Sequence, residues 1–140
     1  MATRVGNATL RLDGAPVVVG YAAIGAKKES EGPLGSQFDR VNPDTTFGET
    51  TWEKAESRMQ KDTVNMALDK AGLAPSDIQY VFSGDLLSQI ISSNFGLREF
   101  GIPYVGLYGA CSTMAESLGL AAIFTESGAA GHAVAMTSSH

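Results

Sequence analysis

The residue best suited to act as a nucleophile is Cys111, the only cysteine in the chain. It follows an apolar, strand-like run from Tyr104 to Tyr108 and a Gly109-Ala110 step, and it precedes a helical pattern rich in small residues. A cysteine at a strand-to-helix turn lies beside unsatisfied backbone N–H groups and the positive end of the helix dipole, which favours the thiolate. The pattern is typical of a nucleophile elbow. Taken alone, a cysteine among alanines and glycines is more often a small buried hydrophobe.

Other polar residues follow predicted strands in the same way. Asp85 comes after the apolar run 79–83 and Gly84, and the polar segment 137–140 follows the run 132–136. The carboxyl ends of parallel strands meet at one edge of a sheet, where ligands bind in α/β folds. Taken singly, Asp85 reads as a turn or helix-capping aspartate and His140 as a hydrogen-bonded histidine. Together they predict a ligand-binding edge formed by Asp85, Cys111, Ser112, Ser138, Ser139 and His140.

The elements that must position these residues alternate along the chain. A valine-rich run over 15–24 predicts a buried strand, and the irregular stretch 25–49 predicts a long covering loop that packs on the domain. Helices are predicted over 50–72, 88–100 and 112–127, and strands over 79–83, 104–108 and 132–136. This alternation indicates an α/β layered fold with a mostly parallel sheet and helices packed on it.

The first long helix has the most explicit sequence signals. Thr50 as N-cap and Glu53 three residues later form a predicted capping box, and Gly72 predicts the helix end. A spacing of three and four residues predicts a core-facing stripe, and most charged residues, Glu56 among them, are expected on the outer surface. The stripe comprises Trp52, Ala55, Met59, Thr63, Met66 and Ala67.

Composition excludes several classes of function. The 140 residues suit one domain, and the formal net charge is -5 with no basic cluster, so nucleic acid is not an expected partner. No apolar run approaches the length of a membrane span, and the N-terminus has no signal-peptide pattern. One cysteine and two histidines argue against a zinc site, and no phosphate-binding or dinucleotide fingerprint occurs. We therefore expect no metal and no cofactor.

Through these motifs the chain resembles the thiolase and ketosynthase-like fold and, more narrowly, the stage V sporulation protein AD family of spore-forming bacteria. The resemblance covers nearly the whole chain and is carried by five stretches. They are KKESEGPLGSQFD (27–39), TTWEKAESRM (50–59), SGDLLSQIISSNF (83–95), IPYVGLYGACSTMAES (102–117) and AMTSSH (135–140).

The resemblance implies a thiolase-like protein that is not known as a condensing enzyme. It implies binding of dipicolinic acid, or its calcium complex, for uptake into the developing spore and release in germination. It also implies a peripheral position at the spore inner membrane, with membrane-embedded proteins of the same operon as partners. The family's nucleophile position falls on Cys111, and its rim positions fall on Asp85, Ser138, Ser139 and His140.

The chain departs from the family pattern in one respect, because it supplies only the first of the two α/β halves of a thiolase-like subunit. We therefore expect a single half-domain over 1–140, either part of a longer protein, which is the favoured interpretation, or a half-length relative. We also expect self-association through the surface meant for the second half. Two alternatives to ligand binding stay open: a scaffold subunit of the membrane complex, and a Cys111-dependent acyltransferase. Asp85 would repel a dicarboxylate unless it were protonated or bridged by calcium.

Overall fold

The protein is built on a three-stranded parallel sheet with helices on both faces, seen in a computed structural model that describes residues 1–87 and 89–139. The strands are β1 (Ala2–Val5), β2 (Thr9–Leu12), β3 (Ile24–Gly25), β4 (Arg40–Val41), β5 (Tyr80–Gly84), β6 (Tyr104–Gly106) and β7 (Ala133–Thr137). The α-helices are α1 (Lys27–Ser30), α2 (Trp52–Ala71), α3 (Ile91–Leu97) and α4 (Thr113–Glu126). Short 3-10 turns lie at Gly35–Gln37, Pro75–Asp77, Arg98–Phe100 and Ala110–Ser112.

The main sheet has the strand order β6-β5-β7, with both neighbours parallel to the central strand. Its side chains alternate between two helical layers, as the period of a strand requires. Val81 on β5 packs in a core with Val64 and Leu68 of α2 and Leu97 of α3. On the opposite face, the Phe82 ring meets Phe124 of α4 edge-on, with ring centroids 4.9 Å apart. The predicted layered α/β architecture with a parallel main sheet is therefore confirmed.

Helix α2 begins one residue later than the sequence predicts. Thr51, not Thr50, is its N-cap, because the Thr51 hydroxyl accepts a hydrogen bond from the Lys54 amide at 3.3 Å. The predicted end is confirmed, since Gly72 adopts the left-handed conformation of a C-cap with φ of 67°.

The buried face of α2 also differs from the predicted stripe. Ala55 and Met59 are buried as expected, but Trp52 is 52% exposed. Val64 and Leu68 complete the apolar core, and two polar residues, Glu56 and Gln60, lie buried on the same side. The apolar spacing predicts which side of α2 is buried, but it does not predict that Glu56 and Gln60 lie on that side.

The predicted buried strand over 15–24 is wrong. Only Ile24–Gly25 is a strand, and it pairs in parallel with Arg40–Val41 rather than joining the main sheet. Val17, Val18 and Val19 are 77%, 71% and 57% exposed. A run of valines is typical of a buried strand only when a neighbouring strand covers it, and this run has no strand partner in the described part of the chain.

The stretch 25–49 is docked rather than free. It contains α1, a 3-10 turn and β4, and Phe47 within it is 4% exposed. Asp39 ties it to the rest of the domain, because its carboxylate accepts the Ala23 amide and forms an ion pair with Lys70 of α2 at 2.5 Å. The start of this stretch lies beside the carboxyl edge of the main sheet.

Across the described residues, no helix combines the length and apolar character needed to cross a bilayer.

Candidate functional site

The turn that carries Cys111 follows β6 and leads into α4 through a 3-10 turn, as the sequence predicts. Ala110 has a φ of 51°, a conformation that L-residues adopt at a cost. The turn is fixed by the Ser112 amide, which donates to the Gly109 carbonyl at 3.0 Å, and by the Gly109 amide, which donates to the Thr113 hydroxyl. Cys111 is exposed and is not in a disulfide.

Gly84 allows this turn to lie against the end of β5. A Cβ atom at Gly84 would stand 1.9 Å from the Leu107 carbonyl oxygen and 3.0 Å from the Thr113 side chain. A hydrogen bond holds the two segments together at this point, because the Leu107 amide donates to the Ser83 carbonyl at 2.8 Å. Glycine is therefore required where β5 meets the Cys111 turn.

The segment after β7 is fastened to the same glycine. The Ser138 amide and the Thr137 hydroxyl both donate to the Gly84 carbonyl, at 3.2 and 3.3 Å. The ends of β5 and β7 and the turn after β6 thus meet at one edge, as expected for parallel strands.

A cavity of about 630 Å³ lies at this edge. Its walls bring together Cys111, Ser138 and Ser139, three of the six residues predicted to bind a ligand. The stretch 22–29 and Phe38 close another side, so that part of the predicted covering loop does border the site. The cavity also includes the cationic Lys28 and the apolar side chains of Met59, Leu86 and Met136. This mixture of apolar walls and a few polar groups is typical of small-molecule sites.

The sequence reasoning missed two residues of this site, Glu56 and Gln60. Both are buried on α2, at 0% and 1% exposure, and Gln60 lines the cavity. The Ser138 hydroxyl donates to Glu56 Oε1 at 2.6 Å, and Gln60 Nε2 donates to the Ser138 oxygen at 2.5 Å. No apolar periodicity reveals them, because they are polar residues on the inner face of a helix. Their spacing of four residues, which puts them on one face, was the available signal.

Asp85 lies at the same sheet edge but not on the cavity wall. It is 1% exposed, and its Oδ2 accepts hydrogen bonds from the Ser93 amide at 2.8 Å and the Ser93 hydroxyl at 2.5 Å. Asp85 thereby anchors α3, which is close to the turn-aspartate interpretation. Nearby, the Tyr104 hydroxyl donates to the Ser83 carbonyl, and burial raises the pKa of Tyr104. This internal cluster is separate from the residues that line the cavity.

Ser112 is turned toward its own helix rather than toward the cavity. Its hydroxyl lies 2.6 Å from the Gly109 carbonyl and also contacts the Glu116 carboxylate. The Glu116 carboxylate covers Gly109 so closely that a Cβ atom there would be 2.2 Å from Glu116 Oε1. A negative charge at the first turn of α4 stabilises the helix dipole, and it also offsets the attraction of that helix end for an anion.

The remaining predicted residue, His140, lies outside the described residues, as does Ser88, where the α3 helix was predicted to begin. Within residues 1–87 and 89–139, no group of three or more His, Cys, Asp or Glu side chains is arranged to hold a metal ion.

Comparison with a solved structure supports the fold. The structure of 3-oxoacyl-(acyl carrier protein) synthase III from Xanthomonas oryzae pv. oryzae superimposes with a TM-score of 0.50 at 17% identity. The match covers 81% of this chain and 40% of the synthase chain. The predicted thiolase-like α/β fold is thereby confirmed, and at this identity the likeness speaks for the fold alone.

Sequence comparison is more specific. Stage V sporulation protein AD of Bacillus subtilis (strain 168) is 40% identical over 126 residues, which are 89% of this chain and 37% of the relative. The chain therefore spans little more than a third of the length of that curated relative. The pattern of the family described as stage V sporulation protein AD matches residues 6–140. Since the match covers nearly the whole sequence, the chain belongs to the stage V sporulation protein AD family.

Proposed function

We propose that this chain binds dipicolinic acid, alone or as its calcium complex, as a non-catalytic sporulation protein. The bound ligand would be taken up into the developing spore and released in germination. The observation that carries the proposal is the cavity beside Cys111, Ser138 and Ser139 in a chain of this family. The identity of the ligand comes from the family resemblance. The volume of the cavity, about 630 Å³, is in the range of small-molecule sites.

The lining of the cavity suits a small, flat dicarboxylate. Lys28 offers an ammonium group for a carboxylate, and Phe38, Met59 and Met136 offer apolar surface for an aromatic ring. Glu29 also lines the cavity and would repel a free dianion, which the calcium complex would offset. A negative charge from Asp85 was the main objection to an anionic ligand. That objection weakens, because Asp85 does not line the cavity and its Oδ2 is hydrogen-bonded to Ser93.

Isothermal titration of the full chain tests the proposal, with dipicolinate and benzoate compared in the presence and absence of calcium. We expect dipicolinate to bind and benzoate, which lacks the second carboxylate, to bind more weakly. Cys111→Ala should weaken dipicolinate binding, whereas Ser76→Ala, an exposed serine remote from the cavity, should not. Equal binding of both ligands, or binding of neither, would overturn the proposal, and absence of binding would leave the scaffold role as the favoured alternative.

A Cys111-dependent acyl transfer is the second candidate, and one observation favours it. Cys111 is exposed at the turn before α4, in a fold shared with a protein described as a 3-oxoacyl-(acyl carrier protein) synthase. The thiol would attack a thioester carbonyl, the acyl group would pass to sulfur, and the coenzyme A or carrier thiol would leave with the proton. Mass spectrometry after incubation with acyl-coenzyme A tests this candidate: an acyl adduct on Cys111 supports transfer, and an unmodified chain contradicts it.

We further propose that the protein acts at the spore inner membrane as a peripheral subunit, associated with membrane-embedded proteins of its operon and with a second copy of itself. Several large apolar side chains are exposed and are available for such contacts, among them Ile91, Phe95 and Leu118. Fractionation of spores should place the protein with inner-membrane vesicles and release it at high salt or alkaline pH. Recovery in the soluble fraction without prior extraction would contradict this location.

A further inference from the structure

The two buried polar side chains of α2, Glu56 and Gln60, both hydrogen-bond one residue of the cavity wall, Ser138. A serine hydroxyl carries a single proton, and that of Ser138 is donated to Glu56 Oε1 at 2.6 Å. The same oxygen accepts a hydrogen bond from Gln60 Nε2. Because the proton is committed to Glu56, Gln60 acts only as a donor in this contact, which fixes the orientation of its amide.

That orientation carries an energetic cost. Gln60 Oε1 is buried and has no hydrogen-bond partner among the described residues. Buried polar atoms in folded proteins are nearly always paired, so an unpaired one calls for an explanation. An apolar residue at position 60 would bury no unpaired oxygen. What glutamine provides in return is the hydrogen bond to the Ser138 hydroxyl.

We infer that Glu56 and Gln60 are positioning residues that hold Ser138, and with it the segment 137–139, on the wall of the cavity. The inference rests on the proposed function for the identity of the ligand. Ser138 then presents a lone pair to the cavity rather than its proton. A carboxylate of a bound ligand is met instead by the Lys28 ammonium group.

The first arm of the test needs no ligand. Glu56→Met removes the acceptor at nearly constant side-chain size and should accelerate hydrogen exchange of the Ser138 amide. The Val81 amide, which donates to the Pro103 carbonyl in the core, reports any global loss of stability. Glu56→Gln keeps a carbonyl acceptor and should restore much of the protection. Asp69→Met, at an exposed acidic residue of the same helix, is the matched control.

The second arm measures dipicolinate affinity in a double-mutant cycle. Glu56→Met should weaken binding about fivefold to tenfold, the scale expected for one lost positioning hydrogen bond. In a Ser138→Ala background the same substitution should have little further effect, because its target is gone. An equal loss in both backgrounds would mean that Glu56 acts only through general stability, and this would overturn the inference.

Two further outcomes are decisive. Unchanged exchange at Ser138 in Glu56→Met would refute the inference whatever the ligand. If the wild-type chain does not bind dipicolinate, the proposed function fails, and the exchange arm still decides whether Ser138 is held by α2. Should Glu56→Met not fold, Gln60→Met takes its place in both arms, since it removes the donor to the same hydroxyl.

Discussion

Two buried carboxyl side chains lie near the carboxyl edge of the sheet, and they serve different parts of the molecule. Glu56 comes from α2 and bonds Ser138 on the cavity wall, whereas Asp85 follows β5 and bonds Ser93 of α3 in the interior. Both are at most 1% exposed. The difference teaches that burial of an acidic residue at the carboxyl edge of a sheet does not by itself place it on the cavity wall. What distinguishes the two residues is the location of the serine that each one hydrogen-bonds.

The largest effect is expected at Gly84, which both regions share. Gly84→Ala would place a Cβ atom 1.9 Å from the Leu107 carbonyl oxygen, so the backbone must shift. We expect a loss of about 3 kcal/mol in the free energy of unfolding, measured by urea denaturation, together with weaker ligand binding. Gly119→Ala is the control, because a Cβ atom there meets nothing within 4 Å and should stabilise α4. Equal behaviour of the two variants would contradict the close packing of β5 on the turn.

Asp85→Ala is expected to separate stability from binding. It leaves the amide and hydroxyl of Ser93 buried without their acceptor, at a cost of about 2–3 kcal/mol in the free energy of unfolding. Under conditions where the variant is folded, its dipicolinate affinity should match the wild type. The exposed Asp69→Ala should change stability by no more than about 0.5 kcal/mol. A selective loss of affinity in Asp85→Ala would restore Asp85 to the binding site and remove the contrast with Glu56.

A smaller effect is expected at the start of α2, the helix that carries Glu56. Thr51→Ala removes the hydroxyl that accepts the Lys54 amide and should cost about 1 kcal/mol of stability. Thr50→Ala should be nearly neutral in the same thermal melts. The reverse result would move the N-cap to the residue that the sequence pattern favoured.

The smallest effect is a pH dependence of the stretch that borders the cavity. The hydrogen bond from Lys70 lowers the pKa of Asp39, and the Ala23 amide lowers it further. A lowered folded-state pKa gives stability that is present above the unfolded value and is lost as the pH falls through the folded value. Below about pH 4 we therefore expect a lower protection factor for hydrogen exchange at the Ala23 amide, after correction for the intrinsic exchange rate at each pH. Asp39→Asn should abolish this dependence, and its persistence in that variant would assign it to another group.

Local sequence signals located much of the framework. The end of α2 at Gly72, the strands β5 and β7, and the turn at Cys111 follow from glycine placement and apolar runs. The rule that strand ends share one edge also predicts that Cys111, Ser138 and Ser139 lie near one another, and all three line the cavity.

Long-range features were beyond the reach of that reasoning. Whether a valine run is buried depends on a neighbouring strand, and Val17 to Val19 have none in the described residues. Glu56 was expected on the outer surface, because apolar spacing does not register polar residues on the inner face of a helix. Asp85 follows a strand as predicted, but its hydrogen-bond partner, Ser93, lies eight residues farther along the chain.

The exposure of Cys111 has a practical consequence. As the only thiol of the chain, on a cavity wall, it is a unique attachment point for a fluorescent or spin probe. The stoichiometry of labelling is one per chain, with no background from other cysteines. Slower alkylation in the presence of a small molecule would report occupancy of the cavity directly, so that candidate ligands can be ranked by the protection they give.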